Sequence, residues 1–93
     1  MEIGEKFLPI GTVVMLKNAT KRVMICGFCA ITESDKTKIW DYSGCLYPEG
    51  FMDSKRTCLF DHDQIQEIYH LGLKEDEEEK VFKTKLNELT SSL

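Results

Sequence analysis

The sequence predicts a mainly β fold: a small curled five-stranded barrel of the SH3-like kind with a C-terminal α-helix. Three observations predict it. Short apolar runs of strand length recur between turn residues, a capped helical turn precedes the last of them, and the composition breaks at Lys74 into an acidic tail with helical periodicity. Residues 1–73 are therefore assigned to the small barrel, and residues 74–93 to an acidic amphipathic helix of the same domain.

Leu8-Pro9-Ile10-Gly11 opens the body. Proline forces Leu8 out of the helical region and glycine permits a bend, immediately before Thr12-Val13-Val14-Met15-Leu16-Lys17, a strand apolar on both faces. Asn18 to Lys21 is a polar turn. Arg22 to Ile31 follows as a strand in which Val23, Ile25, Gly27, Cys29 and Ile31 share one face and Met24, Cys26, Phe28 and Ala30 the other. Both faces read as buried, with Gly27 as the point of bending. Glu33 to Lys38 is a solvated loop. Ile39 to Tyr47 then alternates Trp40, Tyr42, Gly44 and Leu46 against Asp41, Ser43 and Cys45, and Pro48-Glu49-Gly50 turns the chain.

Phe51 to Arg56 reads as a mobile segment and Thr57 to Phe60 as a short strand. Asp61-His62-Asp63-Gln64-Ile65 reads as a single capped helical turn, and Glu67 to Gly72 as the last strand. In the tail, Glu75 to Glu79 stand where they favour the positive end of a helix dipole, and Phe82, Leu86, Leu89 and Leu93 form one apolar stripe. A helix of roughly 12 to 15 residues is marginal alone, so it needs its own barrel, a partner or a second copy to pack against.

Ninety-three residues with 42% apolar content fill one modest core. No run approaches the ~20 apolar residues of a membrane span, and Met1 to Lys6 lacks the basic and apolar regions of a signal peptide, so the expected location is the cytoplasm. The four cysteines then read as reduced thiols, and the Asn18-Ala19-Thr20 sequon as unused. Charge is uneven: residues 1–60 carry 8 Lys/Arg against 7 Asp/Glu, residues 61–93 carry 4 against 9. Nucleic acid is therefore not an expected partner, whereas a basic or apolar protein is.

Three constellations could carry chemistry. Cys26-Gly27-Phe28-Cys29 with Cys45 and Cys58 could supply a four-thiolate metal site or a redox pair. The C-x-x-C, however, lies inside an apolar strand, its sulfurs sent to opposite faces, and no helix follows to activate a thiol; core cysteines are the plainer reading. In Asp61-His62-Asp63 one histidine is flanked by two carboxylates, but no nucleophile at a meaningful spacing completes a catalytic set, and His70 falls on another element. A capped turn is the plainer reading, and neither a glycine-rich phosphate loop nor an H-E-x-x-H motif is present, so no enzyme, cofactor or metal is expected. Trp40, Tyr42 and Tyr47 could form an aromatic groove for an extended peptide; Trp40 and Tyr42 are in phase for the core, which leaves Tyr47 as the surface candidate.

Leu8-Pro9-Ile10-Gly11-Thr12-Val13-Val14, Asp41-Tyr42-Ser43-Gly44-Cys45-Leu46-Tyr47-Pro48-Glu49-Gly50 and Phe60-Asp61-His62-Asp63-Gln64-Ile65 together resemble a small family of unknown function from Gram-positive bacteria. The resemblance runs from about Leu8 to Glu79, with the Tyr42 to Gly50 block its most specific part. It implies proximity to type VII secretion systems and LXG-type toxins, and a cytosolic accessory role; it carries no catalytic residues. The expected function is thus a non-enzymatic adaptor or chaperone-like module for a secreted toxin or secretion component. Its expected partner-binding residues are Tyr47, Pro48, Glu49 and Gly50 on one rim and Phe82, Leu86 and Leu89 on the tail helix, through which a homo-oligomer could also form. Two other readings remain open: a metal or redox protein using the four cysteines, which metal analysis tests, and an immunity protein, which protection of cells from a toxin tests.

Overall fold

The computed structural model describes residues 6–91. Within them five antiparallel strands form one curled sheet, β1 (Val13–Leu16), β2 (Val23–Ala30), β3 (Trp40–Leu46), β4 (Cys58–Phe60) and β5 (Ile65–His70), in the order β4-β3-β2-β1-β5. The sheet stays open, with β4 and β5 as its edges, and a 3-10 turn (His62–Gln64) joins them. Helix α1 (Glu77–Ser91) follows β5. The helix and the first four strands stand where the sequence places them, whereas β5 begins at Ile65, which the sequence puts in the capped turn, and ends at His70 rather than Gly72; Leu93 of the predicted stripe lies outside the described residues.

Strands β2, β3 and β4 pair in sequence order as a meander, whereas β1 also pairs with the distant β5, Val14 opposite Ile68 and Leu16 opposite Ile65. The inner face buries Val14, Val23, Ile25, Tyr42, Phe60, Ile65 and Ile68. Gly44 belongs to that face because nothing larger fits: a Cβ there would stand 2.6 Å from Val23 Cγ1 and 2.7 Å from the Met24 carbonyl oxygen. The buried Thr12 hydroxyl accepts the Gly72 N–H at 3.0 Å and ties the chain leaving β5 back to the start of β1.

Strand β2 corrects the expected pattern. The pairing with β3 shifts between Ile25 and Gly27, so an extra residue enters at Cys26 and the alternation changes phase. Phe28 consequently joins Val23 and Ile25 against the core, while Cys26 is exposed, so the two faces are not both buried. Gly27 does stand at the irregularity. The segment read as mobile, Phe51 to Arg56, contains a second 3-10 turn (Ser54–Arg56), capped by Asp53 Oδ1 accepting the Lys55 and Arg56 N–H groups at 3.0 and 3.1 Å.

Phe7, just before the expected start of the body, is fully buried. Its ring meets Phe28 edge-on at 5.8 Å and lies 6.2 Å from Tyr42. Helix α1 docks on this body through Leu86, buried in the same core, and through Phe82, whose ring lies 6.0 Å from Phe28. Burial of Leu86 contributes about 2 kcal/mol, enough to hold a helix that is marginal in isolation.

Candidate functional site

The end of β3 builds a rigid, presented turn. Tyr47 N–H donates to the Arg22 carbonyl at 2.9 Å, extending the β2–β3 ladder beyond the last strand residue. Gly50 N–H closes the turn on the Leu46 carbonyl at 2.7 Å, with Gly50 at φ +83, a conformation that glycine adopts without a Cβ clash. Tyr47, Pro48 and Glu49 are all exposed. Lys21 holds Glu49 at 2.8 Å, and this hydrogen bond keeps the Glu49 carboxyl below the ordinary glutamate value.

Beside the turn lies a groove of about 590 Å³, lined by Val13, Arg22, Met24, Tyr47, Tyr69 and His70 with Gly11. The Arg22 guanidinium lies over two rings, 5.0 Å from the Tyr47 centroid and 5.5 Å from that of Tyr69, and is held there by attraction to both faces. An apolar floor, two tyrosines and one fixed guanidinium suit a protein segment: the rings give area at low entropic cost and the cation gives orientation. Tyr47 is thus the member of the predicted rim that opens onto this groove; Arg22, Tyr69 and His70 were not singled out by sequence reasoning. They meet only because β1 lies between β2 and β5, a pairing that no local pattern announces.

The tail residues separate. Leu86 is buried within the chain's own core, Phe82 is 52% exposed although it touches Phe28, and Leu89 is 62% exposed farther along α1.

The other end of β3 is committed to holding the fold. Tyr42 is fully buried, stacks on Phe60 at 5.2 Å, and accepts the Phe7 and Leu8 N–H groups at 2.9 and 3.0 Å. With both of those bonds accepted, its proton is directed to His62 Nδ1 at 2.7 Å. Burial pushes the Tyr42 hydroxyl up to about 12. Asp41 and Asp61 form a reciprocal clamp: Asp61 Oδ1 accepts the Asp41 N–H at 3.1 Å, and Asp41 Oδ2 accepts the His62 N–H at 2.9 Å. The turn is closed by Gln64, whose Oε1 accepts the Asp61 N–H at 2.8 Å, while the Asp61 carboxylate, expected to cap the turn, accepts from Lys38 and the Asp41 N–H instead. Partial burial works to raise the Asp61 carboxyl, but the bonds from Lys38 and from the Asp41 N–H outweigh it and leave it below the ordinary value.

The four thiols are free. Cys26 is exposed on the outer side of the sheet near Cys45 and Ser43, whereas Cys29 packs against the core. Burial is the main cause that pushes the Cys26, Cys29 and Cys58 thiols up. Among the described residues, no three His, Cys, Asp or Glu side chains converge so as to hold a metal ion, and no helix is long and apolar enough to cross a membrane.

Comparison with curated proteins and with solved structures returns no match. A family model does match, over residues 7–81, and therefore takes in the buried Phe7, all five strands, the Tyr47 turn and the first turn of α1. The chain belongs to that family, the domain of unknown function DUF4176.

Proposed function

We propose that this protein is a non-enzymatic, cytoplasmic binding module that holds a segment of a partner protein in the groove between Tyr47 and Tyr69. The observation that carries the reading is the Arg22 guanidinium held over both rings, above the apolar floor of Val13 and Met24, beside a closed turn. Preordering of the rim lowers the entropic cost of binding, because the ladder bond to Arg22 and the closed turn already fix Tyr47. The resemblance to proteins encoded beside type VII secretion systems supports the partner we propose, an LXG-type toxin or a secretion component, with this chain as its adaptor.

The test is affinity purification from the native cytosol followed by mass spectrometry, with the wild-type chain, Tyr47→Ala and Arg22→Gln in parallel. The expected result is a toxin or secretion component in near-equal amount with the wild-type chain, lost in both variants while the folded circular dichroism spectrum persists. A wild-type chain that emerges alone overturns the adaptor reading; a partner retained equally by both variants overturns the groove.

A further inference from the structure

A second surface lies across the Leu8 to Thr12 turn from the groove, Ile10 lining one and Gly11 the other. Four apolar side chains are open to solvent there: Ile10 at 51%, Leu73 at 70%, Val81 at 53% and Phe82 at 52%. They line two adjoining hollows of about 300 and 370 Å³ that share Phe82 and Glu78, and so form one trough along the first turns of α1. A contiguous apolar surface of this kind on a small domain marks a place where something docks.

Charge selects the occupant. On this part of the helix Lys80 is paired with Glu75 at 3.2 Å and Lys83 with Glu79 at 3.5 Å. Glu77 and Glu78 line the hollows with no basic partner among the described residues, and Lys85 is the one cation on the lining. A second copy docked through the same trough would set one net-acidic surface against another, with Lys85 alone to offset it, in the third of the chain that carries 9 acids against 4 bases. An apolar stripe flanked by Lys or Arg meets both requirements, filling the trough and neutralising its rim. The trough follows α1 from Glu77 to Lys85, which spans roughly 12 Å, or about two helical turns.

We propose that this trough docks a short amphipathic helix of a partner protein whose apolar stripe is flanked by basic residues. The mode is a helix laid in an apolar groove, with apolar anchors against Leu73, Val81 and Phe82 and cations against Glu77 and Glu78. It is independent of the Tyr47 groove and gives the domain two faces of different chemistry.

The probe is a fluorescently labelled Leu/Lys peptide of about 14 residues, roughly four turns, with its leucines on one helical face; its scrambled isomer is the control. Fluorescence anisotropy on the full chain is expected to show saturable binding of the patterned peptide, weakened by salt, and at least about tenfold weaker binding of the scrambled one. Leu73→Ser with Val81→Ser, both exposed and outside the core, and separately Glu77→Gln with Glu78→Gln, are each expected to weaken binding by about tenfold. Equal binding of the scrambled peptide, or failure of both variant pairs to weaken binding, overturns the proposal. So does sedimentation showing a dimer that the Leu73→Ser, Val81→Ser variant dissociates, because the occupant is then a second copy. Binding that appears only after removal of residues 1–5 also overturns it, since the occupant is then the chain itself. None of these outcomes bears on Tyr47 and Arg22, so the proposed function stands or falls separately.

Discussion

Tyr42 and Tyr47 stand at opposite ends of one strand and its turn, and they differ in what surrounds each hydroxyl. Tyr42 is enclosed by Phe7, Phe28, Phe60 and His62, with every hydrogen-bonding capacity of its oxygen used. Tyr47 is 37% exposed, its backbone pinned and its ring turned to Arg22. One strand thus supplies a structural pin at one end and a presented ring at the other. The lesson is that residue type does not separate the two roles; burial and the number of bonds to the hydroxyl do.

The largest test removes the two hydroxyls in turn. Tyr42→Phe leaves the buried Phe7 and Leu8 N–H groups without their acceptor, and is expected to cost about 3 kcal/mol in urea denaturation. Tyr47→Phe is expected to cost less than ~0.5 kcal/mol. Equal losses would break the comparison. Alkaline titration sharpens it next. Tyr42 is raised from 10.0 to about 12, so the folded state resists its ionisation: the contribution is fully present below pH 10, and about 2 kcal/mol is lost as pH rises toward 12. Stability followed by circular dichroism should show that decline in wild type and lack that component in Tyr42→Phe.

Two glycines extend the contrast to the backbone. Gly44→Ala, beside Tyr42, forces a Cβ against Val23 and the Met24 carbonyl and is expected to cost about 2 kcal/mol. Gly50→Ala, beside Tyr47, meets no atom within 4 Å but must hold φ +83, and is expected to cost about 1 kcal/mol. Thermal unfolding of both should preserve that order. The smallest effect concerns the clamp. The Asp61 carboxyl is depressed, so its contribution is present above the ordinary aspartate range and lost as pH falls through the folded value, below about pH 4. Lys38→Met is expected to remove only a small part of that acid-side loss, because Lys38 is 44% exposed and its bond is screened by water. Urea midpoints at neutral and acid pH measure it.

Much of this molecule was legible from local pattern. Turn residues and alternation placed the strands, Asp61 marked the capped turn, and the acids at Glu75 to Glu79 marked the start of α1. Strand phase placed Tyr42 in the core and Tyr47 outside it, but it also placed Trp40 inside, whereas Trp40 is only half-buried with Lys38 over its ring. Phase failed in β2, since an inserted residue carries Phe28 to the core face and neither Cys26 nor Gly27 announces which side of the bend it takes. Phe7 was missed because no periodic run contains it; it is buried through contact with residues far along the chain. Arg22 and Tyr69 meet by the same kind of long-range pairing, so the rim was readable while the groove behind it was not. Leu86 and Leu89 lie on one stripe, and only the docking angle of α1 decides which enters the core.

The Tyr42 hydroxyl also bears on how the chain reaches this structure. Its partners stand 35, 34 and 20 residues away, so each bond closes a long loop, and closure entropy must be offset before any of them rewards the chain. The β2–β3 hairpin, by contrast, can start where Ala30 faces Trp40 and zip outward from there, each further pair adding little closure cost. The hydroxyl bonds are therefore expected to form after the barrier, so that Tyr42→Phe speeds unfolding and leaves the folding rate nearly unchanged in stopped-flow kinetics. Tyr42 is in this sense a latch: it contributes little to finding the fold and much to the time spent in it.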